Sequence, residues 1–418
     1  MKDMLGRDKV ITAQDALEIL LKYLPATEPS ATAVPLEDAL TRVCAKDIVS
    51  DEDLPSFGRS TVDGYAVRAE STFGAKETMP AYIAVSGEVL MGEMPGFSLS
   101  PNSCAKIPTG GMLPEGADAV VMFEHAQTVD AGMIEVLSPV APGENVIHPG
   151  EDVRSGGLVV ARGRRLRPQD VGACAGIGNE SILVYDRPLV SIISTGDEIV
   201  PASSSPGPGQ VRDINSYVIA GMVAAAGGIA RREGIFADDY EAIRAAVEKA
   251  LADSSAIVLS GGTSVGTKDM VARIIDDIGN PGVLFHGLSL KPGKPMIGGV
   301  MRGVPVFGLP GHPAAVAVCF DLLIRPVLAR LSGESEASAR HRERIVAARL
   351  SRNLSSAPGR EEHVRVMLEE RPDGFWAVPV MGKSGLITTL VKADGVVVIP
   401  LNSNGIAQGE EVSVRLFG

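Results

Sequence analysis

The chain has 418 residues, 45% hydrophobic and 22% charged, and a formal net charge of −12. That length exceeds one ordinary domain and suggests two to four. The acidic balance disfavours a nucleic-acid partner, and 4% aromatic residues with one Trp disfavour a base-stacking surface. Cys44, Cys104, Cys174 and Cys319 stand far apart with no C-x-x-C pair, which argues against a disulfide framework or structural zinc and points to a reduced, cytoplasmic compartment. The first residues include an acid and no apolar h-region, and no apolar run approaches membrane-spanning length.

Thr12 and Asp15 form a T-x-x-D capping pattern, and Leu17, Leu20, Leu21 and Leu24 follow at helical spacing until Pro25. A second short helix is expected over 36–43. The acids Asp51, Glu52 and Asp53 read as a solvated run. Residues 54–68 mix Pro, Gly, polar and aromatic side chains without periodicity and read as a long loop, a length often reserved for function. Short β-like runs at 82–85, 103–107, 119–123 and 134–136, separated by Gly and Pro turns, predict a small inserted β domain. The basic cluster Arg162-Gly163-Arg164-Arg165-Leu166-Arg167 reads as a solvated turn before a helix starting at Pro168.

From 189 to 331 apolar strands alternate with helices, the latter expected over 216–226, 240–252 and 314–331, as in a doubly wound α/β domain. After residue 344, short alternating segments predict a small C-terminal β-barrel or sandwich. The α/β region holds the chemically suggestive stretches. Ala256-Ile257-Val258-Leu259 runs into Ser260-Gly261-Gly262-Thr263-Ser264-Val265-Gly266-Thr267-Lys268-Asp269 and then a helix. A strand, a Gly-rich turn and a helix N-terminus can bind phosphate, although the spacing is neither a P-loop nor a dinucleotide fingerprint and suits a plain flexible turn equally. Thr195-Gly196-Asp197-Glu198 and Gly308-Leu309-Pro310-Gly311-His312-Pro313 also follow apolar runs, and Lys291-Pro292-Gly293-Lys294-Pro295 lies between them in sequence. Loops after parallel strands emerge at one carboxyl edge, so three of these loops are expected to share a crevice with two lysines nearby.

Taken in order, these motifs, together with Val62-Asp63-Gly64-Tyr65-Ala66-Val67-Arg68, the Pro108–Asp118 stretch beginning Pro108-Thr109-Gly110-Gly111, and Gly150-Glu151-Asp152, resemble the molybdopterin molybdenumtransferase family, which includes the C-terminal domain of gephyrin. The resemblance covers nearly the whole chain. It implies a multidomain α/β fold. An extended N-terminal/central domain would take 8–50 plus 146–184 and an inserted β domain 51–145. An α/β domain similar to molybdopterin adenylyltransferase would take 185–335 and a C-terminal β domain 336–418. It further implies a homodimer that binds adenylylated molybdopterin, inserts molybdate (or tungstate) and releases AMP with Mg²⁺ assisting. Transient contact with molybdopterin adenylyltransferase fits this place in the pathway.

The same resemblance implies roles for individual residues. Asp63, Asp152, Glu198, Asp269, Lys291 and Lys294 are the expected catalytic set, with Asp197, Glu198 and Asp269 as metal ligands. Thr109, Thr195, Gly196, Ser260, Gly261, Gly262, Ser264, Gly266, Pro310, Gly311, Pro313 and Ser384 are expected to bind substrate. The chemistry agrees: splitting a phosphoanhydride needs its charge neutralised, which carboxylate-held Mg²⁺ supplies, and lysines are compact point charges for an oxyanion. Asp269 would equally suit a helix cap, and Asp63 an ordinary turn. The chain departs from the family pattern at Val62, at Arg59-Ser60-Thr61, at Met91-Gly92 and at His312, positions that bear on which oxyanion is preferred. A gephyrin-like scaffold and an adenylyltransferase are the competing readings.

Overall fold

The structure, a computed structural model, describes residues 10–24, 28–261, 265–340 and 344–417, with the backbone alone for 265–269. Three six-stranded sheets dominate it, each backed by its own apolar core. The α/β unit orders its strands Ile229–Phe236, Leu189–Thr195, Ala256–Gly261, Val304–Leu309, Ile297–Met301 and Gly282–His286. The first four run parallel, and Ile297–Met301 is antiparallel to both its neighbours. These strands are continuous apolar runs because both faces are covered. One face takes Ile219 and Val223 of the helix Asn215–Ala225; the other takes Ile243, Val247, Ile274 and Ile275 of the helices Tyr240–Ala250 and Val265–Ile278.

The expected helix over 314–331 forms in three pieces: Pro313–Cys319, a π-turn at Phe320–Ile324, and Arg325–Leu331. Pro326 accounts for the interruption, since it lacks an N–H and its ring crowds the carbonyl one turn back. The helix Ala13–Tyr23 is capped by Thr12, whose Oγ1 accepts from Asp15 N at 3.1 Å. Sequence grouped this helix with the N-terminal region, but its buried Ala16 and Leu20 pack into the α/β core.

Residues 31–60 and 146–185 are zipped together by short antiparallel pairs. Ala31–Pro35 pairs with Ser181–Tyr185, Ile48–Val49 with Leu158–Val160, and Arg59–Ser60 with Val146–Ile147. The helix expected over 36–43 is a single 3₁₀ turn, Leu36–Asp38. Thr41 takes φ 65° and the chain turns out to bond the 164–166 segment, through Thr41 N to Leu166 O and Cys44 N to Arg164 O. The loop expected over 54–68 also needs correction, because Gly64–Val67 is an inner strand of the 64–136 sheet, paired on both sides. Gly64 permits this: a Cβ there would lie 2.0 Å from the Val121 carbonyl oxygen. In the C-terminal unit, Glu361–Arg371 pairs with both Gly374–Pro379 and Gly395–Ile399, and Ile345–Leu350 and Glu411–Leu416 complete a closed five-stranded ring, the barrel expected from the alternation. All four cysteines are free and buried. No described helix is long and apolar enough to cross a membrane.

The basic cluster at 162–167 is not a solvated turn. Arg164 and Arg167 both pair with Asp170, and Arg162 with Glu28. Arg165 is inward: its side chain is 9% exposed and pairs with a fully buried Glu334 at 2.9 Å. Its guanidinium also donates to Thr41 O at 2.8 Å and Ala226 O at 3.2 Å, while Ser338 Oγ donates to Glu334 at 3.0 Å. Glu334→Ala would leave this guanidinium buried without its carboxylate. We expect a loss of roughly 3–5 kcal/mol in urea unfolding; a loss below about 1 kcal/mol would show that the pair does not hold these units together.

Candidate functional site

The strands Leu189–Thr195, Ala256–Gly261 and Val304–Leu309 are neighbours, and their register places Thr195 beside Gly261 and Ser260 beside Leu309. Their carboxyl ends are therefore level, and the three following loops open on one edge. The close pairing leaves no room for side chains: a Cβ on Gly261 would lie 1.7 Å from Thr195 Oγ1, and Gly196 takes φ 141° with its would-be Cβ 2.7 Å from Glu198 Oε2. The helix Val265–Ile278 starts at the same edge, with Gly266 and Asp269 in its opening turns; Gly262 and Ser264 lie outside the described residues, as does the Asp269 side chain. Asp197 is exposed, and its Oδ1 accepts from Asp238 N at 3.1 Å. Glu198 follows it, partly buried.

A segment that sequence reasoning missed knits these loops together. Asn215, the first residue of its helix, donates through Nδ2 to Ser260 Oγ at 3.0 Å and to Gly311 O at 2.9 Å. Asp213 accepts from Ser194 Oγ at 2.8 Å and from Ser216 N at 3.0 Å. Thr195 Oγ1, Asn215 Oδ1 and Ser216 Oγ are buried with no hydrogen-bond partner among the described residues. Buried polar atoms left this way hold unused hydrogen-bonding capacity beside the sheet edge. The available signal was Asp213-Ile214-Asn215-Ser216, a cluster of cap-forming residues just before a helix.

The lysine loop reaches the same edge by another route. It follows Gly282–His286, and the next strand begins with Ile297 paired to Gly308. Lys291 lies on Leu290–Lys291, which pairs with the C-terminal Glu361–Arg371 strand, and its ammonium is ion-paired to Glu362. Lys294 is exposed, with no ion pair to a described residue. The C-terminal unit contributes twice more. Ser384 Oγ meets His312 Nδ1 at 2.8 Å, and Ala314 N donates to Ser384 O, so the 382–385 turn is seated on Gly311, His312 and Pro313. Arg365, also missed, is buried with one donation to Gly382 O, its Nε is without a described partner, and desolvation pushes its guanidinium pKa down.

Asp63, Thr109 and Asp152 are not part of this cluster. Asp63 Oδ1 accepts from Thr109 N at 2.7 Å and Thr109 Oγ1 at 3.0 Å, next to the 64–136 sheet. Asp152 is exposed, where the chain leaves that sheet, and its N–H bonds Leu54 O. No described hydrogen bond or ion pair joins these three residues to the α/β edge.

Three family models match in succession: the MoeA N-terminal region (domain I and II) over 11–178, a probable molybdopterin binding domain over 191–330, and the MoeA C-terminal region (domain IV) over 347–417. The chain is 35% identical to a putative molybdopterin biosynthesis protein of Methanocaldococcus jannaschii, across 96% of this chain and 95% of that one. It is 31% identical to the molybdopterin molybdenumtransferase of Bacillus subtilis, across 92% and 89%. The chain belongs to the MoeA family. A crystal structure of a molybdopterin biosynthesis MoeA protein from Pyrococcus horikoshii overlays with a TM-score of 0.84 at 33% identity, covering 98% of this chain and all of that one. Within this MoeA architecture the sheet-edge cluster spans two of the matched regions, since 195–313 falls in the second and Arg365 and Ser384 in the third. Asp63, Thr109 and Asp152 fall in the first.

Two outcomes follow for this MoeA-family site. The Thr109 amide, and secondarily its hydroxyl, hold the Asp63 carboxyl below the usual carboxylate range. Thr109→Val removes only the hydroxyl, so the Asp63 midpoint, followed by carboxyl-carbon NMR titration, should rise yet stay below that of an unbonded Asp; no rise would refute the assignment. Asn215→Ala removes the tie between two loops and should cost about 1–3 kcal/mol in urea unfolding, as loss of two intramolecular hydrogen bonds implies, and weaken molybdopterin binding about tenfold. Unaltered binding in a titration calorimeter would exclude Asn215 from the site.

Proposed function

We propose that this protein, a transferase of molybdenum cofactor biosynthesis, inserts molybdate into adenylylated molybdopterin and releases AMP. The observation that carries the reading is the level carboxyl edge of three parallel strands, closed over by a lysine loop, in a MoeA-family chain. The level ends let the backbone of Gly196, Gly261 and Gly311 approach a phosphate closely, while the start of the Val265–Ile278 helix favours its negative charge. Ser260 Oγ and Thr195 Oγ1 line the same edge, with Asn215 setting the spacing between loops. Pro310 and Pro313 stiffen the third loop, which Ser384 braces from the C-terminal unit.

Lys294, free of any described carboxylate, is the better placed of the two lysines to hold the oxyanion. Lys291, tied to Glu362, anchors the loop and contributes positive field. The oxyanion would meet the pterin dithiolene and take its two sulfurs as ligands, the oxygen it gives up leaving as water, while a water molecule would split the phosphoanhydride into AMP and the pterin phosphate. Among the described residues no group of three His, Cys, Asp or Glu could enclose a metal. Asp197 and Glu198 are hard oxygen donors at the phosphate edge, a set that suits Mg²⁺ shared with substrate oxygens and not an all-protein cage. They, with Asp269, would hold the ion, which would supply charge neutralisation on the phosphoanhydride.

Asp63, kept ionised by Thr109, and Asp152 would complete the site from the other subunit of a homodimer in the cytoplasm. AMP release from adenylylated molybdopterin with Mg²⁺ should require an oxyanion, and comparing molybdate with tungstate identifies the preferred one. Lys294→Ala and Asp269→Ala should each lower the rate at least tenfold. Mixing Asp63→Ala with Lys294→Ala subunits should restore part of it. Binding without AMP release under every condition would overturn the insertion reading, and failure of the mixed subunits to recover would overturn the shared site.

A further inference from the structure

The other end of the same sheet carries a second feature. Where the Leu189–Thr195, Ala256–Gly261 and Val304–Leu309 strands begin, their preceding turns enclose a cleft of about 410 Å³. Three arginines line it: Arg187 before the first strand, Arg302 in the turn before the third, and Arg330 from the Arg325–Leu331 helix. All three are exposed, and none has an ion pair with a described residue. The arginines of the 162–167 cluster, by contrast, are each matched to a carboxylate. Two acids also line the cleft, and each faces a cation outside the trio: Glu28 pairs with Arg162, and Asp186, which accepts from Ser30 Oγ at 2.6 Å and Thr32 Oγ1 at 2.8 Å, lies 3.9 Å from Arg42.

Burial, and secondarily the Arg187 charge, hold the neighbouring Arg42 guanidinium below its usual range. Arg302 is also held in place by its turn. It takes φ 51° and Gly303 φ 84°, the two left-handed residues of a two-residue hairpin joining Met301 to Val304. Most residues avoid that conformation, and here it is spent on an arginine at the rim of the cleft. A chain with net charge −12 that gathers unpaired guanidinium groups around a cleft has the chemistry to attract an anion against its own field. Guanidinium forks match the paired oxygens of a phosphate.

We propose that this cleft is a second anion site, taking a phosphate group carried by a nucleotide monophosphate or by free phosphate, at the edge of the sheet opposite the proposed reaction centre. Two of its arginines sit on turns leading directly into the strands that carry Thr195 and Leu309 at their far ends. An occupant therefore touches the same strands as the reaction centre without competing for it. The proposal does not depend on the insertion reading.

Isothermal titration with inorganic phosphate, AMP and adenosine tests it at low ionic strength. Each titration is run on the native chain and on the arginine variant, so that binding at the carboxyl edge cancels and the difference reads the cleft. That difference should be one equivalent of phosphate or AMP, and adenosine should show none. Arg187→Ala/Arg302→Asn should weaken binding at least tenfold with an unchanged unfolding midpoint, Asn being chosen because it tolerates positive φ. The arginine variants in the otherwise native chain should release AMP from adenylylated molybdopterin at the native rate under saturating substrate. AMP binding tighter than phosphate assigns a nucleotide, and equal binding assigns free phosphate. No saturable binding, or binding unaffected by the arginine substitutions, overturns the proposal.

Discussion

The buried pair of Arg165 and Glu334 is the contact on which the arrangement of the units rests. Arg165 belongs to the segment that zips residues 31–60 to 146–185, and Glu334 follows the last helix of the α/β unit. One guanidinium bonds the Thr41 carbonyl, the Ala226 carbonyl and the Glu334 carboxylate together. The approach is so close that Gly227 has no alternative: a Cβ would lie 2.1 Å from Arg165 Nη1. A buried ion pair adds little net stability over an apolar pair of the same shape, but removing one partner is costly. Its effect here is directional. It admits one placement of the N-terminal region against the α/β unit.

The reaction edge depends on a second junction, at the other end of the α/β unit. Residues 289–291 lie between two parts of the chain: Ser289 N bonds Ile11 O, and Glu361 N bonds Ser289 O. The lysine loop is consequently not a free surface loop. Its position is set by the N-terminal segment on one side and the C-terminal barrel on the other, and Gly293 is packed so tightly that a Cβ would lie 2.7 Å from Cys319 Sγ. The 382–385 turn adds a brace from the barrel to His312. The α/β unit alone would therefore present its strand-end loops without a fixed lysine loop, which gives the flanking units a physical role in the proposed site.

Sequence reading succeeded where one physical rule dominates. Apolar runs became parallel strands, and motifs following them arrived at one edge because a parallel sheet leaves no other place. Thr12 capped its helix because a side-chain oxygen three residues before an amide is a local matter. Failures came where the deciding partner is distant. Gly64–Val67 has no strand pattern of its own and is made a strand by neighbours on both sides. Residues 36–43 have helical spacing but are drawn off by the carbonyls of 164 and 166. Arg162 and Arg165 looked solvated because their acids, Glu28 and Glu334, lie far along the chain, whereas Asp170, the partner of Arg164 and Arg167, was close enough to be read. Asn215 and Arg365 were illegible for the same reason, since their partners at 260, 311 and 382 meet them only in the folded chain.

The same sheet thus separates two kinds of chemistry. At the carboxyl edge, small residues, helix starts and unpartnered hydroxyls dominate, and among the described side chains the positive charge comes from Lys294, the paired Lys291 and the buried Arg365. That edge is suited to a ligand that brings its own charge and shape and needs close backbone approach. At the amino edge the cleft proposed above is lined by exposed guanidinium groups. A site of the first kind discriminates by geometry and a site of the second by charge. Strands of six or seven residues connect the two edges, short and rigid enough that what holds one end constrains the other.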